Sequence, residues 1–408
     1  WGYNVYGQLG DGTQDDHWAP GPVTGLTGGV QQVVAGDGDT CAVTATGAAK
    51  CWGSNLYGQL GDGTTVNRLT PVNVVGMAGT VQTVTAGNYH TCALTASGGA
   101  KCWGFNQQGQ LGNGTADFIT SPVAVSTLTS GVQSISAGSA NTCAVTGAEG
   151  VKCWGNNFFG QLGDGTTADR WAPQDVSGLT ADMRNVAAGG DHTCALTDPG
   201  DVRCWGYNGY GQLGDGTTTD ALTPVAVINL ASGVQSVAAG LSHTCAVTAV
   251  GGVKCWGWNE HGQLGDGTKT NREAPVDVFG LTSGVKAIAA GWYHTCALTD
   301  AGAVKCWGWN ATGQLGNGTT TEHAKPVAVV GLSSGVESIT AGESHTCARV
   351  ADGIKCWGWN LYGQLGNNTT TDHWTPVAVT GLAANTEAVA AGRYHTCART
   401  DGGAMKCW

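Results

Sequence analysis

The residues with the most reactive chemistry in this chain sit in one recurring string, His-Thr-Cys. It occurs at His90-Thr91-Cys92, His192-Thr193-Cys194, His243-Thr244-Cys245, His294-Thr295-Cys296, His345-Thr346-Cys347 and His395-Thr396-Cys397. A Cys beside a His is the raw material of a thiolate nucleophile. A catalytic site is single, however, and this string is repeated. In two further copies Asp39 and Asn141 replace the His. Asp, Asn and His share hydrogen-bonding capacity, so the pattern favours a structural polar role. Gly209-Tyr-Gly-Gln-Leu-Gly214 satisfies a dinucleotide fingerprint, but no helix follows it, and the fingerprint needs one. Asp164 and Asp169, like Asp215 and Asp220, lie in turns without the ligand density of a calcium loop. No catalytic residue, metal ligand or cofactor site is assigned, and the chain reads as non-enzymatic.

The 16 Cys fall into eight pairs: Cys41 with Cys51, Cys92 with Cys102, Cys143 with Cys153, Cys194 with Cys204, Cys245 with Cys255, Cys296 with Cys306, Cys347 with Cys356 and Cys397 with Cys407. Three readings compete: small buried hydrophobes, metal ligands, or disulfides. A nine-residue gap within one hairpin is not a recognised zinc spacing. If Ala45-Thr46-Gly47 form a three-residue loop with Gly47 in the left-handed region, Thr44 faces Ala48. Cys41 then lies opposite Cys51 at a non-hydrogen-bonded site, with Cα atoms about 4.5 Å apart. One residue is deleted between Cys347 and Cys356, and a shorter loop keeps them opposed. Paired Cys in every unit, with none left over, favour disulfides and an oxidising, extracellular or cell-surface setting.

What positions these residues is an internal repeat. Gln of the run Gly-Gln-Leu-Gly recurs at 8, 59, 110, 161, 212, 263, 314 and 364. Trp of Cys-Trp recurs at 52, 103, 154, 205, 256, 307, 357 and 408, and Trp1 continues the series. Each unit of about 51 residues contains four short extended runs, here Pro224–Ile228, Gly233–Gly240, His243–Thr248 and Gly252–Gly257, separated by turn signals. Helical periodicity is absent. A lone sheet cannot bury both faces, whereas radial stacking can. The expected fold is therefore all-β: an eight-bladed propeller of four-stranded antiparallel blades filling residues 1–408. The Ala-Gly run belongs nearest the axis, and each Cys-Trp Trp packs between sheets.

The pattern Ala290-Gly-x-x-His-Thr-Cys-Ala-Leu-Thr299, followed by Lys305-Cys-Trp-Gly-x-Asn-x-x-Gly-Gln-Leu-Gly316, resembles the regulator of chromosome condensation repeat family across the whole chain. The resemblance implies four-stranded blades, usually seven, whereas eight complete units are present here. The founding member's role as a nucleotide-exchange factor uses an inserted wedge and a basic extension that this chain does not show. A plant ultraviolet-B photoreceptor of this fold uses Trp residues in Gly-Trp-Arg-His-Thr loops, and only Gly291-Trp-Tyr-His-Thr295 comes close. A secreted bacterial β-lactamase inhibitor of similar fold is the nearest analogy for an extracellular member. The family does not ordinarily carry both Cys, so the ladder is particular to this chain.

The net charge is −11 and no Lys/Arg cluster occurs, which excludes a nucleic-acid footprint. Apolar runs are too short to span a membrane as a helix, and no signal peptide is visible. Trp1 is not an initiator Met and Trp408 ends inside a motif, so the chain reads as part of a longer product.

Binding is expected where the units differ. The first variable zone lies between Ala-Gly and His-Thr, including Tyr89, Trp292, Tyr293, Arg393 and Tyr394; the second precedes Gly-Gln-Leu-Gly, including Tyr57, Phe158, Phe159, Tyr210 and Tyr362. Trp18, Trp171 and Trp374 add aromatics on the following loop. These suit contact with a protein, with copies of the chain, or with a glycan. The functional expectation is a secreted or cell-surface protein-binding or self-assembling propeller. The alternatives are a lectin-like propeller and an enzyme inhibitor. Asn113, Asn310, Asn317, Asn367 and Asn368 begin glycosylation sequons. Trp1 and Trp408 share one phase, so the ends should meet within about 10 Å, with closure resting on blade packing alone.

Overall fold

The computed structural model describes residues 2–147, 150–382 and 386–408. Among these, every regular element is a strand, and the strands form eight four-stranded antiparallel sheets. Blades 1 to 7 occupy residues 30–73, 81–124, 132–175, 183–226, 234–277, 285–328 and 336–378. In blade 5 the strands run Val234–Ala239, His243–Thr248, Val253–Gly257 and Arg272–Asp277 from the axis outward. The Ala-Gly run is the innermost, as small side chains at the convergence of the sheets require.

Blade 8 corrects the expected mode of closure. Its three inner strands come from Thr386–Ala391, Thr396–Thr400 and Met405–Cys407, and its outer strand is Gly21–Pro22 from the start of the chain. The ring therefore has a strand-exchange clasp. The physical reason is phase: the chain begins just after a third strand, so its first extended run has only the last blade to pair with. The predicted meeting of Trp1 with Trp408 involves a residue outside the described ones. Its neighbour Gly2 bridges His17 and His395, and a Cβ on Gly2 would lie 2.8 Å from the carbonyl carbon of Trp408.

Every blade interface is built alike. The disulfide of one blade packs against the Trp of the next, as Cys41 and Cys51 do with Trp103. The closing interface repeats this, with Cys397 and Cys407 against Trp52. The eight Cys-Trp indoles are the largest fully buried side chains. Seven of them also donate Nε1–H to the carbonyl of a Gly-Gln-Leu-Gly glutamine in the preceding loop, such as Trp103 to Gln59 at 2.8 Å. Each of these seven is thus both an inter-sheet wedge and a satisfied donor, whereas the buried Nε1 of Trp408 has no protein partner.

All eight cysteine pairs are disulfides, each within one blade. Blades 1 to 4 carry Cys41–Cys51, Cys92–Cys102, Cys143–Cys153 and Cys194–Cys204. Blades 5 to 8 carry Cys245–Cys255, Cys296–Cys306, Cys347–Cys356 and Cys397–Cys407. No free Cys is found among the described residues. The metal-ligand and free-thiol readings of Cys102, Cys153, Cys255 and Cys306, and of their partners, are thereby set aside. The hairpin register is the expected one: Cys41 faces Cys51, Thr44 N–H donates to Ala48, and Gly47 has φ 73°. The same register sets Cys92 opposite Cys102, Cys143 opposite Cys153, Cys245 opposite Cys255 and Cys296 opposite Cys306. The Cα separation in the first pair is 4.1 Å. In blade 7 the shorter loop keeps Cys347 opposite Cys356.

Candidate functional site

The His-Thr-Cys strings form a belt beneath the channel wall. Each Thr hydroxyl donates to a glutamine carbonyl of the preceding loop, as Thr142 does to Gln110 at 3.0 Å. In six of the eight the Thr oxygen then accepts from the Nε2 of the preceding blade's His, as in His90–Thr142 at 2.9 Å. The same bond links His192–Thr244, His243–Thr295, His294–Thr346 and His345–Thr396, and His395–Thr40 carries it across the closing seam. Because the hydroxyl proton is already committed, Nε2 must carry the imidazole proton, leaving Nδ1 bare. No Nδ1 of these six has a protein partner, and all six rings are fully buried. Burial pushes His90, His192, His243 and His345 down to about 4, and His294 and His395 to about 3. A neutral imidazole locked this way is a blade-to-blade tie, and the adjacent sulfur is a disulfide, so no Cys/His nucleophile exists here.

The glycine before each His is fixed by close approach. A Cβ on Gly87 would fall 2.3 Å from Cε1 of His90. Asp39 and Asn141 occupy the belt position in blades 1 and 3, buried, with Asp39 Oδ2 and Asn141 Nδ2 unpartnered. Burial and then the charge of Asp37 raise the Asp39 carboxyl to about 8.

Inside the belt runs an axial channel lined by the Ala-Gly pairs of all eight blades, with a cavity of about 440 Å³. Its mouth carries the first variable position: Asp37, Asn88, Ser139, Gly190, Leu241, Trp292, Glu343 and Arg393. Arg393 bonds Glu343 at 2.8 Å and Asp37 at 3.2 Å, and its guanidinium lies 4.6 Å from the Trp292 ring centroid. This one side chain ties blades 6, 7, 8 and 1 across the seam.

The two variable zones converge on the face surrounding this mouth. Tyr57 meets Tyr89 at 5.4 Å between centroids, and Tyr362 meets Tyr394 at 5.8 Å. Phe158 packs on Phe159, and Trp292 on Tyr293. The link between zones is a third position that sequence reasoning missed, the residue after Cys-Trp-Gly: Tyr3, Phe105, Tyr207, Trp258, Trp309 and Trp359. Phe159, Tyr207, Tyr210, Trp258, Tyr293 and Trp309 make one continuous arc of ring contacts. Trp359, Tyr362, Tyr394, Tyr3 and Tyr6 make a second, and Tyr57, Tyr89 and Phe105 a third. The signal was available, since this position is aromatic in six of eight units.

Trp18, Trp171 and Trp374 do not join these arcs. Trp171 and Trp374 stand at the start of outer strands and Trp18 three residues before one; they are half exposed at 44%, 49% and 49%, and pack across Gly109, Gly313 and Gly363 of the preceding loop.

The sequon reading needs correction at Asn310, which is fully buried. Its amide donates to Asn317, Thr319 and Thr321, and its Oδ1 accepts from Leu315 N–H. A glycan there would destroy the loop. Equivalent Asn residues at 4, 55, 106, 157, 208, 259 and 360 do the same work. Asn113, Asn317 and Asn367 are partly exposed and accept from the hydroxyl two residues on, and Asn368 is exposed. Asp164 is held by Arg170, and Asp169 accepts from Asn157 N–H, which accounts for these turn acids. No cluster of three or more metal-ligating side chains is present among the described residues.

Comparison with known proteins agrees with this architecture. The RCC1-like domain matches residues 126–408, and the regulator of chromosome condensation (RCC1) repeat matches residues 1–43, 50–94 and 98–145. The chain belongs to the RCC1 repeat family. It is 34% identical over 323 residues to the ultraviolet-B receptor UVR8 of Arabidopsis thaliana, covering 78% of this chain and 73% of that one. It is 33% identical over 359 residues to the human E3 ubiquitin-protein ligase HERC2, covering 85% of this chain but 7% of that protein. Among solved structures, human WBSCR16 superposes with TM-score 0.70 at 25% identity, covering 88% of this chain and 98% of that one. Prp20p from Saccharomyces cerevisiae superposes with TM-score 0.66 at 20% identity, covering 88% and 90%, and shares the fold.

Proposed function

We propose that this chain is a non-enzymatic, secreted or cell-surface propeller that binds a protein partner, or copies of itself, through the aromatic face around the channel mouth. The observation that carries the reading is the convergence there of three sequence-variable positions, each rich in Tyr, Trp and Phe. Such side chains supply large contact area at low entropic cost, and they dominate binding energy in protein interfaces. The relative Prp20p is described by its binding to Gsp1p and histones, which supports protein recognition as a use of the fold. The extracellular part of the reading is supported by eight disulfides, one per blade, a density that reducing compartments do not sustain.

The test compares the disulfide-intact chain with a Tyr57→Ser, Tyr89→Ser, Tyr362→Ser variant. Self-association is read by light scattering, and capture of extracellular proteins by quantitative mass spectrometry. A partner, or an oligomer, retained by the parent and lost from the folded variant is expected. An identical profile for both would overturn the reading.

A further inference from the structure

A second concavity lies on the outer rim, between the loops of blades 6 and 7. It has a volume of about 430 Å³, within the range of small-molecule clefts. It is lined by Trp359, Trp374, Leu361, Ala311 and Asp372, with Thr320, Thr370 and Thr371 beside them.

The internal repeat supplies seven controls for this groove. At each junction three equivalent positions meet: one in the loop, one after Cys-Trp-Gly of the next blade, and one on that blade's outer strand. The other junctions hold Val5/Ser54/Leu69, Leu56/Phe105/Thr120, Gln107/Asn156/Trp171, Phe158/Tyr207/Leu222, Gly209/Trp258/Glu273, Glu260/Trp309/Ala324 and Leu361/Tyr3/Trp18. Two Trp and a small residue occupy these three positions only at Ala311/Trp359/Trp374, and all three line the groove. A scaffold requirement would recur around the ring, and this combination does not.

We propose that this groove is a carbohydrate subsite for a neutral pyranose unit, bordering the protein-binding face and sharing Trp359 with it. Indole rings present the flat apolar surface against which the C–H face of a pyranose stacks, while hydroxyls need acceptors and donors at the edge. Asp372 supplies the acceptor. One of its oxygens, Oδ1, is committed to the Asn360 N–H at 2.8 Å, and Oδ2 is left to a ligand. Thr320 and Thr370 supply hydroxyls that both donate and accept. The sugar is neutral because the one ionic group lining the groove is a carboxylate, and the chain's net charge of −11 disfavours acidic glycans.

Two substitutions test the site without endangering the fold, because the repeat already contains them. Ala311→Leu fills the groove with the residue found at Leu56 and Leu361. Asp372→Asn keeps the bond to Asn360, as Asn67 and Asn271 do for their own units, and removes the charge. The disulfide-intact chain is titrated with cellobiose, lactose, maltose and chitobiose up to about 10 mM, reading Trp fluorescence and ligand-observed NMR. Saturable binding of at least one disaccharide is expected. It should weaken about tenfold in Asp372→Asn, about one charged hydrogen bond, and vanish in Ala311→Leu and Trp374→Ala. Binding unchanged by Ala311→Leu, or no binding of any probe, overturns the proposal. Saccharide binding should persist in a Tyr57→Ser, Tyr89→Ser variant, whose two positions lie outside the groove, so failure here is distinguishable from failure of the protein-binding reading.

Discussion

Acid should unfold this propeller through its histidine belt. Six buried imidazoles are held neutral at values of about 3 to 4, while an unfolded His titrates near 6.5. The folded value lies below the unfolded one, so the unfolded chain binds more protons. The stabilisation is complete above about pH 6.5 and is lost as pH falls toward 4. Asp39 opposes this: with its carboxyl raised to about 8, it is protonated when folded and releases a proton on unfolding above about pH 4. The net uptake near pH 5 is therefore about five protons, six less one. At about 1.4 kcal/mol per proton and pH unit, stability should fall by about 7 kcal/mol per pH unit. Guanidinium unfolding followed by Trp fluorescence at pH 7, 6 and 5, without reductant, reads this slope directly. His192→Asn, which copies Asn141, should reduce it by about 1.4 kcal/mol per pH unit. The reasoning fails if unfolding at pH 5 takes up fewer than about two protons, or if six folded-state imidazole signals titrate near 6.5.

Asp39→Asn should stabilise the ring at neutral pH. A folded value raised above the unfolded one costs stability as pH rises from about 4 to 8, so the gain at pH 7 approaches about 4 kcal/mol and disappears below pH 4, as chemical denaturation at both pH values would show. Trp103→Ala removes a fully buried indole from the Cys41–Cys51 cluster and its bond to Gln59, and should cost about 3–5 kcal/mol in the same assay. Replacing Cys194 and Cys204 together by Ala should cost about 2–3 kcal/mol, while non-reducing peptide mapping of the parent should recover eight intra-blade disulfides. Removing residues 1–22 deletes the clasp strand and exposes the Cys407 edge, so hydrogen exchange should accelerate in blade 8 first and leave blade 4 protected.

The blade count, the hairpin register of the cysteines and the inward place of the Ala-Gly strand were legible because each follows from a short local rule repeated eight times. A three-residue loop with Gly47 at its left-handed position dictates that Cys41 faces Cys51, whatever the rest of the molecule does. The clasp was not legible from the unit as drawn, because a sequence period has no intrinsic starting point. Drawing the unit from the Gly-Gln-Leu-Gly turn hides the fact that Gly21–Pro22 belongs to a sheet completed some 380 residues later. Asn310 was misread for a related reason: a sequon is a three-residue pattern, whereas the role of this Asn depends on partners up to eleven residues away. The aromatic face was half legible. Tyr89 and Tyr57 stood out as variable loop residues, but their contact across a blade boundary depends on the turn of the sheet, and Phe105 completes the group from a third loop.

The central claim is that the face bearing the channel mouth and its aromatic arcs is the contact surface. A photo-crosslinking side chain at Tyr89, 43% exposed on that face, can be set against one at Val250, 72% exposed in the hairpin turn at the opposite end of the strands. Both are introduced singly into the disulfide-intact chain, which is then illuminated in a mixture of secreted and cell-surface proteins. The account predicts a discrete adduct, with a partner or a second copy, from position 89 and none from position 250. An adduct from position 250 alone, or equal yields from both faces, would contradict it.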